Sequence, residues 1–342
     1  MRSLLKPAAG LTCLSALAVT GCSSGSGATA DAAPAAPRQG SASPSPAAAT
    51  SPTSYAPYVS ATTASGNDSA GSPTTYNLAF VVSGGACAPK WDGAHALGDA
   101  AVRSRIARLR ASGATVRVSF GGASGKELAA TCGSVPELAA AYGEALDAAG
   151  SSQADFDIEG DELTDSASVA LRSRAIARLQ RERPGLRVSF TLPVMPSGLD
   201  AGGLALLESA NTHDVQVSTV DIMTMNYGES YDGDMGDYAV TAAKAAHTQL
   251  KKVFGLSDAE AWRGMALTSM IGLNDVAGET FTLSDAAQVR SFAREKEIAW
   301  VSMWSAFRDR QCERGDASRD DAATDCSGVR QAPGAFAEAL AG

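Results

Sequence analysis

The sequence has few histidines and no paired cysteine motif, the two features on which most structural zinc sites depend. Among its 342 residues are 3 histidines and 6 cysteines, and no two cysteines stand in a Cys-x-x-Cys arrangement. Structural zinc is usually held by such pairs of cysteine and histidine ligands. We therefore predict that the protein has no metal site.

Basic residues are also in short supply. The chain carries 28 Lys and Arg against 37 Asp and Glu, which gives a formal net charge of −9 at pH 7. Nucleic acids and anionic bilayers are both bound through a basic face. The balance therefore argues against either as the main partner and favours a neutral or weakly cationic ligand. Hydrophobic residues make up 45% of the chain, as in an ordinary globular protein.

The hydrophobic run near the N-terminus is too short to span a bilayer. Arg2 and Lys6 precede an apolar stretch from Leu11 to Val19, which is typical of an export signal. The stretch leads into Cys22 through Thr-Gly, and this ending resembles the bacterial lipoprotein signal, in which the cysteine is lipidated. We expect residues 1–22 to be a signal peptide and a lipidated Cys22 to anchor an extracellular protein to the outer face of the cell membrane. An ordinary secretory signal cleaved nearby is the alternative.

The segment after the predicted signal differs in composition from the rest of the chain. Residues 23–53 consist mainly of Ala, Ser, Pro, Gly and Thr with almost no charge. Such a segment buries too little apolar surface to offset the entropy lost on ordering, so we predict a disordered linker. Residues 54–342 then form a single folded domain.

Four cysteines lie beyond the signal peptide, namely Cys87, Cys132, Cys312 and Cys326. In the oxidising compartment that export implies, four cysteines allow three disulfide pairings. Cys87 and Cys312 each follow a predicted strand, in loops at the same end of the fold. We favour the pairs Cys87–Cys132 and Cys312–Cys326.

Eight short runs rich in β-branched and aromatic residues alternate with amphipathic helical patterns along the domain. The predicted strands are Tyr55–Val59, Tyr76–Ser83, Thr115–Phe120, Ala154–Glu159, Leu186–Leu192, Val220–Tyr227, Gly264–Ile271 and Ile298–Trp304. Strict alternation of strand and helix indicates a parallel sheet, and eight such units can close without an exposed edge strand. We predict an α/β fold that consists of a single (β/α)₈ TIM barrel.

An open, doubly wound sheet is the main alternative to the barrel. Such sheets usually carry a glycine-rich phosphate-binding turn after the first strand, and none is present. Residues 121–126 resemble a phosphate loop, but that pattern requires a glycine at Phe120 and a Ser or Thr at Glu127. The sequence therefore favours the barrel.

The predicted fourth strand carries three acids in alternation, in the order Ala-Asp-Phe-Asp-Ile-Glu. Alternate side chains share a face, so Asp155, Asp157 and Glu159 point into the barrel while Phe156 and Ile158 pack against the helices. The acids lead towards the C-terminal end of the strands, where such barrels perform chemistry. Three stacked carboxyls cannot all ionise in a buried interior, so at least one pKa should rise. An exposed antiparallel strand could carry the same pattern, but the surrounding alternation favours a buried one.

Four motifs in order along the domain resemble those of glycoside hydrolase family 18. Residues 155–159 are similar to the second half of the family's Asp-x-x-Asp-x-Asp-x-Glu signature on strand four, and residues 118–122 resemble its Ser-x-Gly-Gly segment on strand three. Residues 223–227 resemble the Met-x-Tyr segment of strand six, and residues 302–305 resemble the tryptophan segment of strand eight. The resemblance implies a chitinase that cleaves β-1,4-linked N-acetylglucosamine polymers and needs no cofactor. We also expect the protein to be a monomer.

The resemblance also implies roles for individual residues. In enzymes of this kind the acetamido oxygen of the substrate attacks the anomeric carbon. Glu159 would protonate the leaving oxygen, Asp157 would hold the acetamido group, and Asp155 would share a proton with Asp157. The other implied site residues are Tyr227, which would hydrogen-bond the acetamido oxygen, Trp304, which would form the floor beneath the sugar, and the substrate contacts Asn226, Met225, Gly121 and Gly122.

Two positions depart from the family pattern. Ser152 stands where the signature has its first Asp, away from the predicted mouth, so we expect little effect on catalysis. Gly228 stands where an Asp usually follows Tyr227, and Asn226 is an imperfect substitute for that side chain. Aromatic residues make up 6% of the chain, so we do not expect a long aromatic-lined groove. The alternatives are an endo-β-N-acetylglucosaminidase acting on glycoprotein glycans and a non-catalytic sugar-binding lipoprotein, which the presence of Glu159 disfavours.

Overall fold

The computed structural model describes residues 53–313 and 325–342. The predicted signal peptide, the lipidation site Cys22 and the linker up to residue 52 lie outside the described residues. Those features stay predictions. Among the described helices, none combines the length and apolar character needed to cross a membrane.

The strands of the described residues are short and mostly parallel. They are β1 Ser54–Tyr55, β2 Tyr58–Ser60, β3 Thr75–Ser83, β4 Pro89–Trp91, β5 His95–Ala96, β6 Thr115–Gly121, β7 Gln153–Asp157, β8 Arg187–Pro193, β9 Val217–Met223, β10 Met265–Met270, β11 Gly272–Leu273, β12 Thr280–Phe281 and β13 Trp300–Trp304. The strands β3, β6, β7, β8, β9, β10 and β13 pair side by side in that order, each parallel to the next.

A split first strand closes this sheet into a barrel. Strand β1 pairs in parallel with β13, and β2 pairs in parallel with β3 on the other edge. Ala56 and Pro57 separate the two pieces, and proline has no N–H to donate to a continuous ladder. The prediction of an eight-unit parallel barrel is confirmed, with its first strand bent between two neighbours.

The helices follow the barrel strands and cover the outside of the sheet. They are α1 Ala100–Arg110, α2 Val135–Ala149, α3 Ser166–Glu182, α4 Ala201–Thr212, α5 Met235–Phe254, α6 Asp258–Arg263, α7 Leu283–Glu295 and α8 Ala335–Ala341. Local signals mark their ends. The Asp234 carboxylate accepts from the backbone N–H of Asp237 at the start of α5, and Gly255 ends that helix with φ 66°.

The main core lies between the barrel and the helices. Phe156 of β7 is fully buried and stacks against Phe120 of β6, with ring centroids 5.3 Å apart. Tyr142 of α2 meets Phe156 edge to face at 4.9 Å, and Ile158 is also fully buried. The outward packing predicted for Phe156 and Ile158 is confirmed, which leaves the alternating acids inside the barrel.

Two predicted strands end earlier in the structure than expected. Strand β9 stops at Met223 rather than Tyr227, because the Met225 N–H turns back to the Met223 carbonyl and Asn226 adopts φ 54°. Strand β7 stops at Asp157, so Glu159 follows the strand as an extended residue before a short 3₁₀ turn, Gly160–Leu163. Asn226, Tyr227 and Gly228 therefore lie beyond the end of β9, so strand alternation does not determine which way their side chains point.

Both favoured disulfides are present. Cys87 pairs with Cys132, with Cα atoms 4.5 Å apart, and joins the segment after β3 to the segment after β6. Cys312 pairs with Cys326, with Cα atoms 5.1 Å apart, and links the chain after β13 to the segment that leads into α8. Both pairs connect segments that follow barrel strands, as the predicted loop positions required.

Candidate active site

Two adjoining cavities open at the C-terminal ends of the barrel strands. The first has a volume of about 90 Å³ and is lined by Tyr58, Phe80, Ala123, Asp157, Glu159, Thr191, Met223, Met225, Asn226, Thr268, Met270, Asp275 and Trp304. The second has a volume of about 280 Å³ and is lined by Glu159, Pro193, Val194, Met195, Asp200, Met223, Met225 and Asn226. They share Glu159, Met223, Met225 and Asn226. Glu159 thus lies where the two cavities meet.

Asp155 is fixed below the first cavity by four hydroxyl groups. Its Oδ2 accepts from the Tyr58 hydroxyl at 3.0 Å and from Ser119 Oγ at 2.7 Å. Its Oδ1 accepts from Ser189 Oγ at 2.7 Å and from Thr191 Oγ1 at 2.9 Å. These donors come from three strands, β2, β6 and β8, so Asp155 is held rigidly inside the barrel.

Asp157 has a different environment. It is only 4% exposed, and among the described residues its Oδ1 has no hydrogen-bond partner. Burial raises the pKa of Asp157 well above its usual value, and the neighbouring carboxyls Glu159, Asp155 and Asp221 raise it further. Within the described ranges no hydrogen bond joins Asp157 to Asp155. The predicted proton sharing between the two therefore stays a prediction, without a direct bond to support it.

Glu159 has the pKa that a proton donor needs near neutral pH. Burial raises its pKa to about 7, with additional contributions from the negative charges of Asp275 and Glu162. A carboxyl that titrates near the working pH can deliver a proton and later take one back. The structure therefore places an acid with suitable properties at the junction of the cavities.

Asp221 is a buried acid that the sequence analysis did not identify. It lies on β9 with 1% exposure, and its Oδ2 accepts from Thr268 Oγ1 at 2.8 Å and from Trp300 Nε1 at 3.2 Å. Burial raises its pKa to about 7, and the charge of Asp155 adds to the effect. The signal was available, because an acid inside a run predicted as a buried strand needs the same explanation as the acids of β7.

An aromatic wall forms one side of the first cavity. Trp304 lines the cavity as predicted, and its ring stacks on Phe80 with centroids 5.5 Å apart. Tyr58 meets Trp304 edge to face at 5.8 Å. Phe80 and Tyr58 were missed, although both lie in predicted strands one and two. Flat apolar surfaces of this kind suit the faces of sugar rings.

The remaining predicted contacts divide into two groups. Met225 and Asn226 line both cavities, as expected of substrate contacts. Tyr227 is not among the lining residues. Its ring is buried, with a centroid 5.8 Å from that of Tyr231 and 6.1 Å from that of Tyr238. The contact of Tyr227 with substrate therefore stays a prediction.

Gly121 and Gly122 do not line either cavity, but they lie in close contact with residues that do. The Gly122 N–H donates to the Asp157 carbonyl at 2.9 Å. Gly121 has φ 102°, and a Cβ there would collide with the same carbonyl. A Cβ on Gly122 would lie 2.8 Å from the Phe80 ring. The two glycines therefore allow β6 to approach the end of β7 and set the position of Asp157.

The donors of the site do not form a metal centre. Across residues 53–313 and 325–342, no group of three or more His, Cys, Asp and Glu side chains is arranged to hold a metal ion. What the arrangement offers is an acid near pKa 7, a buried carboxyl with an unpartnered oxygen and an aromatic wall. These groups suit acid-assisted cleavage of a sugar bond.

Comparison with known sequences gives two curated relatives, while no family model matches the chain. Over 275 residues, 75% of this chain, it is 37% identical to the "probable bifunctional chitinase/lysozyme" of Escherichia coli (strain K12). It is 35% identical over 276 residues to "Endochitinase 11" of Metarhizium anisopliae. The chain spans 31% and 52% of the lengths of these two proteins.

Comparison with solved structures points the same way. The catalytic domain of a hyperthermophilic chitinase from Pyrococcus furiosus matches with a TM-score of 0.74 and 29% identity, over 84% of this chain and 93% of that one. Catalytic-site mutants of active domain 2 of the thermostable Pyrococcus furiosus chitinase, complexed with chito-oligosaccharides, match with a TM-score of 0.73 and 30% identity, over 92% of that chain.

Proposed function

The chain belongs to the chitinases of glycoside hydrolase family 18, and from that relationship we propose that it cleaves β-1,4-linked N-acetylglucosamine polymers. The observation that carries the proposal is the pairing of Glu159, whose pKa is raised to about 7, with the unpartnered Oδ1 of Asp157 in one cavity. An acid and an acceptor placed side by side suit cleavage assisted by the substrate's acetamido group.

Glu159 starts the reaction as the general acid. Its proton passes to the glycosidic oxygen as the bond from that oxygen to the anomeric carbon breaks. The protonated form is required, so activity should fall as pH rises through about 7, the pKa to which burial raises this carboxyl. The ionised carboxylate then accepts a proton from the water that completes hydrolysis.

Asp157 positions the nucleophile, which the substrate itself supplies. The acetamido oxygen forms a bond to the anomeric carbon while the N–H of the same group points to Asp157 Oδ1, which has no protein partner among the described residues. The positive charge that develops on the acetamido group is stabilised by the adjacent carboxyl. Asp155, held by four hydroxyl donors, does not itself line the cavity and acts through Asp157.

The stereochemistry of the product tests this mechanism. Two successive displacements at the anomeric carbon return the starting configuration, so the first product should be the β-anomer. Proton NMR at early times, with soluble chitin oligomers as substrate, measures the anomer directly. Initial release of the α-anomer would mean a single displacement by water and would remove the role given to Asp157.

The substrate class is tested by a direct comparison. We expect rapid cleavage of soluble chitin oligomers and little or no cleavage of a high-mannose glycopeptide. The reverse result would assign the protein as an endo-β-N-acetylglucosaminidase, and binding without cleavage would assign it as a sugar-binding protein.

We also propose that the enzyme is exported and works as a monomer on a lipid anchor at Cys22. The support is the sequence pattern of residues 1–22, with its basic start, short apolar run and terminal cysteine. Intact-mass measurement of the mature N-terminus should detect acyl chains on Cys22. A mature protein without them, or a cleavage site elsewhere, would contradict the anchor while leaving the enzymatic proposal intact.

A further inference from the structure

Carboxyl groups line both cavities, and the described lining residues include no cationic side chain. The acids are Asp157 and Asp275 in the first cavity, Asp200 in the second, and Glu159 in both. Among the lining residues, all of which belong to the described part of the chain, there is no Lys, Arg or His. Asp200 and Asp275 are both exposed, so each cavity has one acid that faces solvent beside the more deeply placed Glu159.

Hydrogen bonds fix the two outer acids at the cavity edges. The backbone N–H of Asp275 donates to Asn226 Oδ1 at 3.1 Å, and Asn226 Nδ2 donates to Asp275 Oδ2 at 3.3 Å. Asp200 Oδ1 accepts from the backbone N–H of Gly203 at 2.8 Å, at the start of α4. The carboxylate of each acid thus accepts at least one hydrogen bond at the edge of its cavity.

Several buried arginines of the described residues do not belong to either lining. Arg308 faces Asp275 electrostatically, but its side chain is fully buried and donates to the carbonyls of Trp304 and Leu273. Arg172 is also fully buried, and it is paired with Glu127 outside the barrel. A ligand in the cavities therefore meets carboxyls first.

An independent feature shows that a ligand group belongs in this site. Asp157 lines the first cavity with 4% exposure, and its Oδ1 has no hydrogen-bond partner in the described residues. Such an oxygen is costly to bury unless a bound molecule donates to it. The acidic lining thus surrounds a place built for a polar ligand.

We propose that the two cavities, which together form the substrate cleft, select sugars by their charge. Next to Asp200 and Asp275 the cleft accepts neutral N-acetylglucosamine and the ammonium group of glucosamine, and it rejects hexosamines that carry a carboxylate, such as N-acetylmuramic acid. The inference rests on the proposed function and deepens it by naming the substrate class. At the cleaved sugar itself the acetamido group stays obligatory, because it is the nucleophile.

The physical basis is the interaction of fixed charges over short distances. Two like charges within a few ångström repel strongly where water is partly excluded, while opposite charges attract to a similar degree. The effect is screened by salt, since the Debye length falls from about 10 Å at 0.1 M to about 3 Å at 1 M. Discrimination that comes from charge must therefore weaken as ionic strength rises, whereas discrimination by shape does not.

The test compares three substrates with the mature protein at low salt. They are fully acetylated chitin oligomers, partly deacetylated chitin oligomers of the same length, and glycan chains that alternate N-acetylglucosamine with N-acetylmuramic acid. We expect kcat/KM to be at least about a hundredfold lower for the carboxylate-bearing chains than for the acetylated oligomers, and expect 1 M NaCl to narrow the gap at least about threefold.

Two double variants sharpen the comparison. Asp200→Asn with Asp275→Asn should reduce the discrimination at least about tenfold, mainly through faster cleavage of the carboxylate-bearing chains. Glu144→Gln with Glu208→Gln removes the same number of charges from exposed positions on α2 and α4 and should leave the ratio unchanged. The salt dependence of the unaltered protein needs no variant, so it decides the question even if the first double variant does not fold.

The possible failures can be told apart. Equal cleavage of all three substrates, or discrimination that neither salt nor the Asp200/Asp275 variant changes, would overturn charge selection while leaving the chitinase proposal standing. Failure to cleave any chitin oligomer would overturn the proposed function, and the inference with it.

Discussion

Two buried polar regions of this protein differ in how their carboxyl groups are paired. Outside the barrel, Glu127 accepts from Arg172 Nε at 2.9 Å, from the Tyr142 hydroxyl at 2.6 Å and from the Ala129 N–H at 2.9 Å. An ion pair of 2.8 Å to Arg172 Nη2 completes the cluster. Inside the barrel, four acids lie close to one another, and Asp157 keeps an oxygen with no partner among the described residues.

The difference separates a stabilising region from a functional one. A buried carboxylate with a guanidinium and further donors has its desolvation largely offset, so its environment serves the folded state. Burial instead raises the pKa values of Asp157, Glu159 and Asp221, and at Asp221 the charge of the buried Arg117 offsets only part of the rise. Such raised pKa values cost stability and create groups that can exchange protons. Proteins accept such a cost mainly where chemistry requires it.

Glu162 belongs to both regions. Its Oε1 accepts from the backbone N–H of Glu127 at 2.8 Å, and its negative charge contributes to the raised pKa of Glu159. It lies in the 3₁₀ turn Gly160–Leu163 directly after the acid. The outer cluster therefore positions a charge that tunes the inner one, and changes to either region should be separable by experiment.

The largest effect should come from the inner region. Glu159→Gln keeps the size of the side chain and removes the transferable proton, so kcat should fall about 10²–10⁴-fold while chito-oligosaccharide binding persists. Steady-state kinetics and calorimetric titration measure the two quantities. Thermal unfolding should change little or shift upwards, because a buried acid has been replaced by a neutral amide.

The matched control is Glu144→Gln, which neutralises an exposed acid on α2. It should leave kcat within a factor of about two, as surface substitutions usually do. If Glu159→Gln retains more than about a tenth of the activity, the loss is smaller than the range expected when a general acid is removed, and Glu159 is not that acid.

Much of the fold could be predicted from sequence because periodicity reports burial. The alternation in residues 154–159 placed Phe156 and Ile158 outside the barrel and the acids inside it, as found. The ends of strands were less predictable. Strand β9 was extended to Tyr227, but a single local turn at Met225 and the positive φ of Asn226 end it at Met223, and no periodic signal announces such a turn.

The site was only partly predictable, for a related reason. Residues on the acidic strand could be identified from one stretch of sequence. The donors to Asp155 come from three other strands and include Tyr58, Ser119 and Thr191, which only the closed barrel brings together. Asp275 lies in the segment after β11, and its place in the cavity depends on Asn226. Neither Asp275 nor Asn226 lies in a local sequence pattern that distinguishes it from an ordinary loop residue.

The outer region should determine stability. Arg172→Met leaves the buried Glu127 without its cation, so the free energy of unfolding should fall by about 3–5 kcal/mol. Urea unfolding followed by fluorescence measures the change. Well below the unfolding transition, kcat should fall far less than in Glu159→Gln, because Arg172 does not line either cavity.

Arg178→Met is the control on the same helix. Arg178 pairs with Glu182 at 2.7 Å, but both side chains are about half exposed, at 42% and 49%, so the change should cost less than about 1 kcal/mol. Adding Glu127→Gln to Arg172→Met should recover part of the loss, since no uncompensated charge is then buried. Equal costs for Arg172→Met and Arg178→Met would contradict the contrast between a buried and an exposed pair.

The smallest effect should appear at Glu162, where the two regions meet. Glu162→Gln keeps an oxygen that can accept from the Glu127 N–H, so the outer cluster should stay intact and stability should change little. The substitution removes one of the negative charges that raise the pKa of Glu159, so that pKa should fall. Because the reaction needs protonated Glu159, the alkaline limb of the kcat/KM profile should move to lower pH. At pH 8, activity relative to the optimum should fall about two- to threefold below that of the unaltered enzyme.

The control is Asp161→Asn, which removes a charge from the same 3₁₀ turn. Asp161 is not among the charges that raise the pKa of Glu159, so the pH profile of this variant should match that of the unaltered enzyme. A shift towards higher pH in Glu162→Gln, or equal shifts in both variants, would show that Glu162 does not tune the acid and that the two regions act independently.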